Sequence, residues 1–472
     1  MTEIENSLET KHLGKLMTKY CVPCIIALLV ATLYNIVDQL FIANATYLGS
    51  YGTAACSVIF PLTVVALGVA MLVGDGCCTL VSNRLGAKDP QNASRAIGSS
   101  IISLVALGVA LMVIYLVFLE QIVTLFGGRV NETTFQMAKE YFFWIALGIP
   151  FYMFGQAMNP IVRADGSPGF AMAALVIGGI TNIILDYVFI YITHWGIAGA
   201  AIATILGQIL SALLFVGYLF RMKSVKLKRD SFRFRFGLMK QIAPLGAASL
   251  LTQISIVLSI AVVLNMANKY GAMDPIYGQE QYAHIPASVI GIVIKFYQVM
   301  ISISIGFATG CIPLAAYNMG AKRFDRVWKL LKLLLVTQAV VGLIASVLFL
   351  VFPTQLTNLF GGKTESVYYV QYSIHSIRIF MCASVLSCIN KATAIYQQAL
   401  GNAKTATILC VLREIVFGVS MPIILPAILG LNGILYFMPV SDVITFVISL
   451  IIVVRTGKQL RNMDEGRRSP LE

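Results

Sequence analysis

Two aspartates buried in apolar sequence are the residues best placed to do chemistry. Asp38 and Asp186 each lie inside a long apolar run, where an ionisable side chain is costly and marks a functional site by default. Asn182 precedes Asp186 by one helical turn, so on a helix the two side chains lie about 40° apart on one face. At 1.5 Å per residue, Asp38 stands about 30 Å and Asp186 about 27 Å from one surface, and Thr204 about 12 Å below the other. The four therefore reach similar depth on spans 1, 5 and 6. Two carboxylates, an amide and a hydroxyl are hard oxygen ligands. They suit a small cation. They equally suit a proton shared by two close carboxylates, because like charges raise one pKa. The alternative is a structural hydrogen-bond network joining three helices. A cation-coupling site at Asp38, Asn182, Asp186 and Thr204 is the reading adopted.

Other ionisable residues fall in or near apolar runs. Lys391, Arg413 and Glu414 are expected close to span ends, where long side chains reach out to the interface. Lys295 and Arg378 are deeper, and each needs a partner or a wet cavity. Asp75, between Gly74 and Gly76, and Asp442 have no assigned role. Cys21 and Cys24 have redox or metal spacing, but no second pair or histidine cluster accompanies them. The chain has nine cysteines and four histidines and no HExxH motif, so neither an enzyme nor a cofactor site is expected.

The elements that must position these residues are membrane spans. Of 472 residues, 58% are hydrophobic and 12% charged, with mean hydropathy +0.83. A soluble domain carries about 25% charged residues. A water-soluble enzyme and a disordered chain are both excluded. Apolar runs of about 20 residues also exclude an outer-membrane barrel, whose strands alternate over about ten. An all-α polytopic membrane protein remains. Hydropathy predicts twelve transmembrane helices near 16–41, 53–79, 97–119, 137–158, 168–191, 197–220, 241–267, 284–309, 329–352, 366–396, 404–426 and 431–454. The segment before the first run is polar and mixed in charge, so that run reads as a retained span and not a cleavable signal.

Twelve is even, so both termini share one side. With that side inside, 26 Lys and Arg fall on inner connections and tails and four (Arg129, Lys139, Lys269, Lys363) on outer ones. This is the positive-inside bias. It predicts a multi-pass cell-membrane protein with both termini cytoplasmic. The net charge of +13 is then topological and does not call for nucleic acid. Eight of the cations lie in 221–240. There Phe232, Phe234 and Phe236 alternate with Arg233 and Arg235, which would suit anionic headgroups. Positive-inside topology accounts for the charge and is preferred.

The chain repeats itself. Gly86-Ala87-Lys88 recurs as Gly320-Ala321-Lys322, and Leu125-Phe126-Gly127-Gly128 as Leu359-Phe360-Gly361-Gly362, both at the same offset. Gly76 and Gly310, and the turns Gly196-x-x-Gly199 and Gly430-x-x-Gly433, share that offset. Pro23 and Pro244 sit early in the first span of each half, at a shorter offset, with a longer 7–8 loop making up the difference. Six spans is an even number, so the halves enter with the same orientation and form two parallel six-helix bundles. The expected domains are a bundle over 1–220, a basic cytoplasmic linker over 221–240, a bundle over 241–454 and a tail over 455–472. Two such bundles suit alternating access.

The quoted residues carry a family resemblance. Tyr34-Asn35-Ile36-Val37-Asp38, Ser82-Asn83-Arg84-Leu85-Gly86-Ala87-Lys88, Arg163-Ala164-Asp165-Gly166-Ser167-Pro168 and Asn182-Ile183-Ile184-Leu185-Asp186 resemble the multidrug and toxic compound extrusion (MATE) transporters. The likeness spans all twelve helices and is closest to the prokaryotic branch with a cation site in the N-terminal bundle. It implies efflux of cationic, amphipathic compounds in exchange for H⁺ or Na⁺. By position, Asp38, Asn182, Asp186 and Thr204 match that family's N-bundle site, with Na⁺ as the metal such a site would hold. Pro23 matches the bend of helix 1. Another branch has acidic ligands on helices 7, 8 and 10. Here those helices offer Lys295, His375 and Arg378 instead, so no second site of that kind is expected.

The substrate cleft is expected to use aromatic and methionine side chains, which suit flat cations. Tyr34, one turn below Asp38, leads the candidates, with Phe60, Tyr141, Phe154 and Met158. Gln156 and Asn159 could extend the polar network. Lys295 and Arg378 are the other cleft candidates. They keep open a second reading, a flippase of the same superfamily moving lipid-linked oligosaccharides or other amphiphiles. The expected partners are a small amphipathic molecule and the bilayer, with the chain acting as a monomer.

Overall fold

A computed structural model describes residues 8–129, 131–359 and 366–468. Phe360, Gly361, Gly362, Lys363 and the end of the tail lie outside them. The described residues are helical, with no strand among them. In the first half, α1 is Leu13–Asn44, α2 Gly49–Gly86, α3 Pro90–Val117, α4 Glu132–Ala164, α5 Pro168–Asp186 and α6 Gly196–Leu219. In the second half, α7 is Phe236–Ala272, α8 Ile285–Gly310 and α9 Phe324–Val351. A shorter helix, Ile312–Gly320, follows α8. Span α10 is made of Val367–Met381 and Ser384–Ala399, bent by 43°. Span α11 runs from Ala403 to Leu429, and α12 is Gly433–Arg468. The last two form one apolar run, Ala403–Glu465. The chain reverses at Gly430, whose φ of +62° suits glycine. Gly433 then lies against the backbone of Leu425 and Pro426.

Local sequence sets the helix starts. Asp89 caps α3 by accepting from Asn92 N–H at 3.2 Å, with Pro90 in the first turn. The Asn92 side chain holds the Asp89 carboxyl below the usual carboxylate range. Asn131 caps α4 through Thr134 N–H at 2.7 Å, and Ser366 caps α10 through Tyr369 N–H at 3.2 Å. The spans are apolar on every side. Val117, Leu213, Ile344 and Ile428 are exposed, as expected where the surrounding solvent is lipid.

The repeat is legible in the backbone. Helices Pro90–Val117 and Phe324–Val351 are related by the sequence offset at both ends, as are the short helices Leu119–Leu125 and Pro353–Leu359. Lys88 and Lys322, a pair at that same offset, both adopt a left-handed conformation, at φ 60° and 56°.

Packing divides the chain into two compact units. One is Met1–Gln253, Ile312–Lys322 and Ala399–Gly401; the other is Ile254–Cys311, Arg323–Gln398 and Asn402–Glu472. The first unit takes in the start of α7 and the helix Ile312–Gly320 for a steric reason. The start of α7 and the helix Ile312–Gly320 lie backbone to backbone on α2. A Cβ on Gly76 would strike Ile242 O, and one on Gly246 would strike Leu72 O. Gly86 likewise faces Tyr317 O and Gly320 faces Asn83 O. The first unit buries Ile59, Leu104, Phe142 and Met153; the second buries Val289, Tyr372, Phe380 and Ile434.

Candidate functional site

The first unit brings the four predicted ligands together. Asp186 ends the α-helical part of α5, and a π-helical turn, Tyr187–Ile192, follows. Such a turn is common at functional sites. Asp186 is 0% exposed and Asn182 3%. Asn182 Nδ2 donates to Thr204 Oγ1 at 3.3 Å, and Thr204 Oγ1 donates to Ala200 O at 3.0 Å. The hydroxyl proton is thus committed to α6. The carboxyl of Asp38, on α1, interacts directly with that of Asp186.

The site has acceptors and lacks donors. Asp38 Oδ1, both Asp186 oxygens and Asn182 Oδ1 are buried with no hydrogen-bond donor. Neither aspartate forms an ion pair among the described residues. Buried carboxylates ordinarily find compensation, and none is supplied by these neighbours. The acceptors gathered here are two carboxyls and an amide oxygen, all hard oxygens.

Cys56 on α2 and Tyr141 on α4 are near neighbours of the Asp38 and Asp186 pair. By sequence Tyr141 reads as a cleft aromatic, and Cys56 draws no attention. Only the packing of α2 and α4 onto α1 and α5 reveals their place.

Beside the site lies a cavity of about 40 Å³, lined by Tyr34, Gln156, Asn182, Thr204, Gln208 and Ser211 among others. That is room for water and a few polar contacts. Two glycines of its lining bring α5 and α6 into close contact. A Cβ on Gly207 would lie 2.5 Å from Gly178 O and 3.1 Å from Asn182 Cβ. Gly207→Ala should therefore push α5 from α6, displace Asn182 from Thr204 and cost about 1–3 kcal/mol. Thermal unfolding together with ion-driven transport measures this. Unchanged values for both would refute the close contact.

The other cleft candidates separate. Tyr34 and Gln156 line the cavity. Asn159 Nδ2 donates to Ala171 O at 3.1 Å, tying α4 to α5. Phe154 and Met158 are only 8% and 0% exposed and pack in the interior. Lys295 and Arg378 are exposed and unpaired among the described residues. Pro23 lies inside α1, which runs unbroken through it.

The second unit corrects an expectation. Lys391, Arg413 and Glu414 do not reach out to an interface; all three are buried. Arg413 donates to Asp442 Oδ1 at 2.9 Å, Glu414 Oε1 at 2.6 Å, Tyr297 OH at 2.6 Å and Ser387 Oγ at 2.9 Å. Lys391 Nζ lies 2.5 Å from Glu414 Oε1. Two cations meet two carboxylates, so the cluster needs no outlet to water. Asp442 is thereby explained. In the first unit Asp75 accepts from Ser249 Oγ at 2.8 Å and faces Arg163 at 3.9 Å. Arg163, a loop charge by hydropathy, is buried in the last turn of α4.

The repeat offset relates these sites. Shifted by it, Gln156, Gly179 and Gln208 of the cavity become Asn390, Arg413 and Asp442. Where the first unit keeps a glycine and a cavity, the second has a guanidinium. Asn182, Asp186 and Thr204 become Val416, Ser420 and Met438. Asp38, shifted as Pro23 is to Pro244, becomes Ser259. The acceptor cluster is not duplicated.

A family model described as MatE matches residues 23–188 and 281–424. The chain belongs to the MatE family. Among relatives, Multidrug export protein MepA of Staphylococcus aureus (strain MRSA252) is 24% identical over 450 residues, 94% of each chain. MepA of Staphylococcus saprophyticus is 25% identical over 448 residues, again 94% of each. A solved MATE structure in the bent conformation matches with TM-score 0.87 at 22% identity, over 98% of this chain and 99% of that one. The chain thus has the twelve-helix MATE fold and is a multi-pass membrane protein. Asp38, Asn182 and Asp186 lie in the first MatE segment, and Lys391, Arg413 and Glu414 in the second.

Proposed function

We propose that this chain is a secondary antiporter that exports amphipathic, cationic organic compounds in exchange for H⁺ or Na⁺. The observation that carries the reading is the set of four buried oxygen acceptors without donors at Asp38, Asn182 and Asp186. A proton or Na⁺ bound there by Asp38, Asn182, Asp186 and Thr204 supplies the absent positive charge. Binding then favours one of two transport states by the difference in its affinity for them, with Pro23 as the flexible point of α1. Substrate leaves as the ion binds. The two six-helix halves, 1–220 and 241–454, act as the moving bodies, joined by 221–240, with the tail 455–472 and both termini cytoplasmic. The chain works as a monomer in the cell membrane, as a transporter and not an enzyme. The names of its relatives, multidrug export proteins, support this substrate class.

The test is reconstitution into liposomes loaded with a fluorescent lipophilic cation, under an imposed pH gradient and separately a Na⁺ gradient. Accelerated flux with one gradient is expected, and it identifies the ion. Flux indifferent to both sinks the reading. The exposed cations Lys295 and Arg378 favour a second reading, transport of an anionic lipid-linked sugar. Gradient-independent movement of such a lipid in the same liposomes would select it.

A further inference from the structure

We propose that the linker 221–240 is a built binding surface for anionic phospholipid in the leaflet it faces. The proposal rests on the membrane-spanning fold and not on the transport reading. The segment holds eight Lys and Arg against one acid, Asp230. Charge alone reports only sidedness. The conformation says more.

The linker backbone is held at both ends. The Asp165 carboxylate accepts the N–H groups of Lys223 and Ser224 at 2.7 Å each, and the Tyr218 hydroxyl at 2.7 Å. Farther along, Ser94 Oγ donates to Lys226 O at 3.0 Å and stands 2.7 Å from Ser231 Oγ. Arg235 N–H donates to Ser99 Oγ at 3.1 Å. The Ser231 carbonyl occupies the space a Cβ on Gly98 would need. Asp230 gathers Arg95, Arg233 and Arg235 at 3.4, 3.7 and 3.0 Å, so the one acid is already neutralised.

A segment fastened in this way could tuck its rings against α3. It presents them instead. Phe220, Phe232, Phe234 and Phe236 are 86%, 41%, 55% and 71% exposed. Lys226, Lys228, Arg229 and Lys240 are exposed beside them. Four phenylalanines in contact with water would be strongly unfavourable. The linker joins the ends of α6 and α7, so it sits at headgroup level. There rings reach the acyl boundary while ammonium and guanidinium groups reach phosphate. A soluble polyanion would use the charges and leave the rings in water. A zwitterionic lipid would use the rings and leave the charge surplus unmatched. The anionic phospholipid uses both. Because the backbone is already fixed, little ordering opposes binding.

Native mass spectrometry of the full chain, given equal phosphatidylglycerol and phosphatidylcholine, tests this. The wild type should retain phosphatidylglycerol several-fold over phosphatidylcholine, and added inorganic phosphate should not displace it. Lys226→Gln/Lys228→Gln/Arg229→Gln and, separately, Phe232→Ser/Phe234→Ser should each reduce retention about fivefold or more, the scale of a single basic side chain at an anionic surface. Lys226→Arg/Lys228→Arg should retain the wild-type preference, which separates charge from a folding defect. Equal retention of both lipids, or unchanged phosphatidylglycerol retention in both the glutamine and serine variants, would overturn the proposal.

Discussion

Replacing Asp186 with asparagine should abolish ion-driven transport and leave the fold as stable as before, or more so. The two effects have one cause. Both Asp186 oxygens are buried without a donor, so as a carboxylate the group is uncompensated by its neighbours. An amide carries no charge and brings its own donor, which the orphaned Asn182 and Asp38 oxygens can use. Removing an unpaired buried charge relieves a penalty. In the proposed mechanism the same substitution removes an ion ligand and so erases the coupling. A fall in gradient-driven efflux of about tenfold or more is expected, the scale of typical coupling free energies. Asp38→Asn should behave alike, with a smaller stability gain, because Asp38 is only partly buried. Efflux from vesicles at matched expression, with thermal unfolding in detergent, measures both. Wild-type efflux by both variants would remove the assignment. A large loss of stability would show that the pair is structural.

Arg413→Met should have the opposite balance, with a large loss of stability. The guanidinium holds Asp442, Glu414, Tyr297 and Ser387 at once. Methionine fills much of its volume and leaves the Asp442 carboxylate with only a long contact to Asn390, at 3.5 Å. Breaking one side of a buried ion pair costs about 3–5 kcal/mol. Adding Asp442→Asn to that variant removes the stranded charge and should recover a good part of the loss. Such non-additivity is the mark of a direct pair. Thermal unfolding of the two singles and the double completes the cycle. Additive losses would mean that the pair contributes nothing of its own.

These two sites differ in how far the sequence exposes them. Asn182 and Asp186 lie one turn apart on one helix, so their shared face follows from helical periodicity. Asp38 and Thr204 follow from counting depth along their spans. Cys56 and Tyr141 do not, because nothing local distinguishes them from packing residues and only the meeting of four helices places them. Lys391, Arg413 and Glu414 escape because a hydropathy window treats each charge as a cost in isolation. It cannot see that Asp442, on the following span, cancels the sum. The repeat holds a further signal. Aligning the halves sets Asn390 on Gln156 and Asp442 on Gln208, which marks a polar layer common to both. Asp75 escapes for a similar reason: hydropathy places its partner Arg163 in a loop.

The contact of α2 with the helix after α8 has a consequence for symmetry. Gly86 meets Tyr317 and Ala321, and Gly320 meets Asn83 and Ala87. Each set is the other shifted by one repeat length, so this is one contact made twice about a local two-fold axis. On two copies of one six-helix half the same patch would be self-complementary, the isologous interface of a symmetric dimer, where a single substitution acts on both sides at once. Within one chain each half can differ alone. The carboxylate positions do differ, with Asp38 and Asp186 opposite Ser259 and Ser420 in the alignment of the halves. The glycines do not, since either side's side chain would collide with main chain that no rotamer can move.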